Sequence, residues 1–96
     1  LQQFSDAHAF VVAVLAHVAT YLDLQIAEIT SHTRRRAVVR ARALVSYAAV
    51  RHGGLSAGRV APLLGVSPRT VLDGVSIAER RFSPEILAHP MLHPAP

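Results

Sequence analysis

Ser67, Pro68, Arg69, Thr70 and Asp73 are the residues of this chain whose types and spacing best suit recognition chemistry. A serine followed by a proline opens a helix, because the hydroxyl accepts from an orphan backbone N–H and the proline needs no donor there. Arg69 and Thr70 then fall in the first turn and Asp73 one turn later, facing outward, while Val71 and Val75 turn to the core. That arrangement presents side chains to a DNA groove. An arginine there favours guanine through paired bonds to its major-groove acceptors. Asp73 either accepts from a cytosine amino group or holds phosphate away and enforces register, the second being preferred. A second set, Arg34, Arg35, Arg36, Arg40 and Arg42, has the charge for sequence-independent contact with phosphates or the minor groove.

Covalent chemistry finds no comparable set. Of six histidines, only His89 and His93 have the i,i+4 spacing that puts two imidazoles on one helix face, and Pro90 stands between them. His8, His17, His32 and His52 stand alone and read as surface or cap residues. Tyr21 and Tyr47 lie in apolar helical stretches without a His-x-His pair and read as packing residues. The chain has no lysine and no cysteine. That excludes a P-loop lysine, a Schiff base, disulfides, thiolate nucleophiles and cysteine zinc sites. No serine has a histidine and a carboxylate at recognisable spacing. The expectation is a protein that is not an enzyme, with no metal, cofactor or small-molecule substrate.

Charge points to the partner. From Arg34 to Leu72 there is no acidic residue, while Arg34, Arg35, Arg36, Arg40, Arg42, Arg51, Arg59 and Arg69 all fall inside, so the segment carries +8 of a chain whose net charge is +4. A bias toward G·C-rich codons explains the use of arginine for lysine, but not where the arginines sit. A charge run ordinarily marks a solvated helix face laced with i,i+4 ion pairs. Here no carboxylate lies within four residues of any arginine from Arg34 to Arg42. Glu28 can reach one of them through the fold but cannot neutralise five. Such a cluster repels itself unless a polyanion offsets it, and double-stranded DNA is the expected one.

The elements that must hold these residues are helical. Apolar residues recur at three- and four-residue steps, aromatics are few, and 96 residues suffice for one core. The spacing predicts a first helix over 5–22, with Phe4, His8, Val11, Leu15, Val18 and Leu22 in a stripe widened by Phe10, Val14 and Tyr21. A short helix near 25–30 is broken by Ser31-His32-Thr33. A third begins at Arg34 or Arg35, buries Val38, Ala41, Leu44, Val45 and Ala48, and ends near His52 before Gly53-Gly54. Residues 55–75 then read as a helix-turn-helix. Ser56 caps its first helix, Val60, Leu63 and Leu64 line one face, Ala61 permits a close crossing, and Gly65 supplies the left-handed turn. Pro62 removes a backbone donor inside that helix. The second helix extends to Arg80 or Arg81. The fold class is therefore all-α, five to six helices with a helix-turn-helix at 55–81. Residues 1–82 make a single domain, and 83–96 a short terminal helix and a proline-rich tail expected to be frayed or extended. No apolar run is long enough for a bilayer span, and the N-terminal segment lacks the basic lead-in of a signal peptide. Opening at Leu1 rather than Met, the sequence is expected to be a piece of a longer protein.

Residues 18–81 resemble the C-terminal duplex-binding domain of the bacterial chromosomal replication initiator, the DnaA family. Val18 to Ser31 resembles the family's opening: a helix ending near a tyrosine, then a short helix with an acidic-aliphatic pair and a serine. Arg34, Arg36, Arg40 and Arg42 match its basic run R-x-R-x-x-x-R-P-R-Q, with Ala41 in place of the proline and Ala43 of the glutamine. Thr70-Val71-Leu72 matches the T-V-L of its recognition helix. Ahead of that, the family has a Gly-Gly-Arg-Asp-His-Thr character, whereas this chain has the shorter Gly65-Val66-Ser67-Pro68-Arg69. That wording is closer to the helical C-terminal domains of some bacterial transposases. The resemblance implies a recognition helix in the major groove, the basic segment on phosphates or in the minor groove, a bacterial cytoplasmic setting on the nucleoid, and further domains or protein partners. Two alternatives stand beside an initiator domain. One is the DNA-binding domain of a transposase or stand-alone transcriptional regulator; the other, of a different class, is a helical protein-interaction module without DNA binding.

Overall fold

A computed structural model of the chain describes residues 7–94 and places helices α1 (Ala7–Leu22), α2 (Ile26–Ile29), α3 (Arg36–Tyr47), α4 (Ala57–Leu64), α5 (Pro68–Arg81) and α6 (Pro84–Leu87). The expected helix start at Ser5, and Phe4 of its stripe, lie outside the described residues. No strand occurs among those described, and none of their helices is long and apolar enough to cross a membrane. The all-α expectation holds.

Why α1 ends where it does is visible in its backbone. Asp23 adopts φ 56°, a left-handed conformation that aspartate tolerates better than most residues, and the Leu24 N–H turns back to the Ala19 carbonyl at 2.8 Å. On α1, Val11, Val14 and Val18 are wholly buried, whereas Tyr21 is half exposed and lies tilted against the His89 ring, centroids 4.9 Å apart, instead of widening the apolar stripe. The core these residues enter is completed by Ile29, Leu44, Val45, Val60, Leu64 and Val71.

Helix α3 is the central strut, packing most extensively on α5. The two pack tightly where Gly74 faces Ala43 and Ser46; a β-carbon on Gly74 would lie 3.1 Å from the Ser46 hydroxyl oxygen and 3.4 Å from the Ala43 Cα. The expected single helix from Arg35 to His52 changes pitch on the way. Ala48–His52 form a π-helical turn, with the Gly53 N–H bonded to the Ala48 carbonyl at 2.8 Å.

Between α4 and α5 the turn is three residues long, Gly65 to Ser67. Gly65 sits at φ 70°, and the Val66 N–H closes the end of α4 on the Ala61 carbonyl at 3.1 Å. Ser56 and Ser67 cap α4 and α5, accepting from the Arg59 and Thr70 N–H groups at 3.3 and 3.2 Å. Pro62 lies on the exposed side of α4.

The tail departs from expectation. Instead of fraying, Pro90–Leu92 form a 3-10 turn capped by His89, whose Nδ1 accepts from the Met91 N–H at 3.0 Å. Met91 and Leu92 enter the core against α1. Prolines favour extended chain, but two apolar side chains buried together outweigh that preference. His52 packs against the tail, its ring centroid 3.8 Å from that of His93, with Nε2 3.3 Å from the Leu87 carbonyl. Its surface-or-cap reading is replaced by a half-buried one. Burial first, then the neighbouring His93, lowers the His52 pKa, while the Leu87 carbonyl opposes them. A histidine whose pKa is lower in the folded state binds fewer protons there than in the unfolded chain. Its contribution to stability is therefore complete above the unfolded value of about 6.5 and declines as pH falls through it. The midpoint of thermal unfolding is expected to drop on acidification below about 6.5, and His52→Gln to flatten that drop. Calorimetry of the two proteins across this window checks it, and a midpoint that rises on acidification would contradict it.

Candidate functional site

The basic residues around α3 divide by what their guanidinium groups touch. Arg35 pairs with Glu28 at 3.0 Å, and the same carboxylate accepts from the Gln25 N–H at 2.9 Å. Glu28 thus reaches one arginine of the cluster. Arg42, grouped by sequence with the phosphate-facing residues, is turned inward. Its Nε donates to the Ile29 carbonyl at 2.8 Å, and one terminal nitrogen donates to the carbonyls of Ser31 and Thr33. These carbonyls follow the end of α2, where no helix partner is available, and a planar five-donor fork can bridge several of them. Burial, and then the nearby charge of Arg34, lower the Arg42 pKa, yet a guanidinium stays charged under any ordinary condition. Arg42 therefore fastens the loop that leads into Arg34, Arg35 and Arg36.

The remaining arginines converge on a groove. Arg34, Arg36 and Arg40 line one side, Arg81 and Phe82 at the end of α5 the other, and Val39 and Ile77 also line it. The groove measures about 630 Å³, and none of its lining residues is acidic. The Arg40 guanidinium carbon lies over the Phe82 ring, 5.5 Å from its centroid, within the range of a cation–π contact. Among the described residues, no carboxylate pairs with Arg34, Arg36, Arg40 or Arg81.

Arg69, Asp73, Ser76 and Arg80 are all exposed, and their spacing puts them on one stripe along α5. Fourteen residues of α-helix span about 21 Å, so the stripe runs much of that length. At its head, Ser67 Oγ lies 2.9 Å from Thr70 Oγ1, Pro68 occupies the first turn, and Arg69 Nε bonds to Asp73 Oδ1 at 3.4 Å. The Arg69–Asp73 pair is exposed on both sides, so its own stabilisation is small. A smaller cavity of about 70 Å³, lined by Thr70, Asp73 and Ile77 from α5 and by Val39 and Arg42 from α3, adjoins the arginine groove through Val39 and Ile77. The structure thus brings the head of α5 and the basic segment onto one seam between α3 and α5. On the opposite flank Glu79 is bound to Arg51 at 3.0 Å.

Arg81 and Phe82 were not singled out by sequence. Arg80 and Arg81 lie in the last turn of α5, where positive charge complements the carbonyl end of a helix. The available signal was the i,i+4 pair Ile77 and Arg81, which places a cation beside an apolar residue on the flank next to the outward stripe.

No metal-binding group of three or more histidine, aspartate or glutamate residues occurs among the described residues. In comparisons with protein-family models, curated protein sequences and solved structures, nothing matches this chain.

Proposed function

We propose that this chain binds duplex DNA, with the exposed stripe of α5 in the major groove and Arg34, Arg36, Arg40 and Arg81 on the flanking phosphates. The observation that carries this reading is the groove of four arginines with no acidic residue in its lining, set beside the solvent-facing stripe of a capped helix. Such a groove attracts a polyanion, and a helix with short polar side chains at its start lets base edges approach. Arg69 reads guanine once it is released from Asp73; Arg35 and Arg42 position the basic loop. The residue pattern of 18–81 makes a replication-initiator type of domain the first choice within this class, and the transposase or regulator type the second.

Salt titration tests the proposal. Four phosphate contacts give a slope of log K against log salt of about −3.6. Affinity for a mixed-sequence duplex should therefore fall on the order of a hundredfold between roughly 50 and 200 mM salt. Arg36→Ala combined with Arg40→Ala should bring the slope to about −1.8 with the helical circular dichroism unchanged. A flat salt response, or no binding at micromolar protein in low salt, would leave the protein-interaction module as the reading.

A further inference from the structure

We propose that the groove between α3 and the end of α5 is a pocket for one unpaired nucleotide of the bound DNA, its base stacked at Arg40 and its phosphate held by Arg34, Arg36 and Arg81. This rests on the duplex-binding reading and adds which DNA is preferred. Contact with a continuous phosphate backbone requires only exposed cations on a convex or flat surface. This groove has more than that. Its volume of about 630 Å³ lies within the range of small-ligand sites, and Val39, Ile77 and Phe82 supply apolar surface among the arginines.

The position of Arg40 is the informative detail. Its guanidinium is held over the Phe82 ring, and guanidinium planes and aromatic rings are the surfaces on which unstacked bases settle. Such stacking tolerates any base, because every base has a π-face. A base inside the duplex cannot reach the groove without leaving its stack, so the ligand must come from an overhang, a gap or a mismatch, where unstacking costs least. The lack of acidic residues in the lining means that the attached phosphate meets attraction alone.

The test compares three DNAs of the same duplex sequence by fluorescence anisotropy: blunt, with a one-nucleotide overhang, and with that overhang made abasic. The base-bearing overhang is expected to bind about tenfold tighter than the abasic one, which keeps the phosphate but has no base to stack. Phe82→Leu, which keeps an apolar side chain in the half-buried position, should remove this gain. Equal affinity for the base-bearing and abasic overhangs, with blunt binding intact, overturns the pocket and spares the duplex reading. A full gain retained in Phe82→Leu also overturns the stacking arrangement. Absence of binding to all three DNAs removes the duplex reading and this inference with it.

Discussion

Leu92→Ala is expected to lower the free energy of unfolding by about 3 kcal/mol, within the range for truncating a fully buried leucine. Leu92 has no exposed surface and lies four residues from the end of the chain. In a domain of this size the loss corresponds to a fall of roughly 15 °C in the unfolding midpoint. The adjacent Pro90→Ala, on an exposed position of the 3-10 turn, should cost less than about 1 kcal/mol. Urea denaturation of both variants distinguishes a docked tail from a frayed one: if they unfold alike, the last turn contributes nothing to the core.

Arg42→Ala should cost about 2 kcal/mol, where alanine at the exposed Arg36 or Arg40 changes stability by no more than about 0.5 kcal/mol. The asymmetry follows from the partners. Truncating Arg42 removes a charged donor from three carbonyls at the exit of α2, whereas Arg36 is exposed and Arg40, also exposed, has only the Phe82 ring against its guanidinium. Lysine at 42 should recover less than half of the loss, since a single ammonium cannot reproduce the planar fork. Hydrogen exchange adds a local readout: in Arg42→Ala, amides of residues 30–36 should lose protection before those of α1. Equal stability of the Arg36 and Arg42 variants would contradict the assignment of Arg42 as the fastener.

How much of this was legible beforehand depends on the range of the interaction. The caps at Ser56 and Ser67, the left-handed turn at Gly65 and the buried faces of α3 and α5 are set by residues within one helical turn of each other, and the spacing showed them. The roles of Arg42 and Arg35 were not separable from those of their neighbours. Five arginines in nine positions look alike until the loop after α2 folds back and presents its carbonyls to one and Glu28 to another. The tail failed for a related reason. Its prolines act locally, whereas the surface that receives Met91 and Leu92 lies on α1, more than sixty residues earlier.

The uneven distribution of charge around α5 gives any encounter with a polyanion an order in time. On its crest the first-turn arginine is compensated by Asp73, and on its far flank Arg51 is compensated by Glu79. The side toward Arg34, Arg36, Arg40 and Arg81 gathers four arginines without a carboxylate partner among the described residues, against Arg80 alone on the crest. On the proposed duplex-binding reading, a polyanion arriving by diffusion is captured along that edge first, at a rate that ionic strength controls. It meets the crest second, by rolling about the helix axis, and at that step Arg69 must exchange its carboxylate for the newcomer. Capture sets how often the surface is visited, and the exchange sets how long each visitor stays.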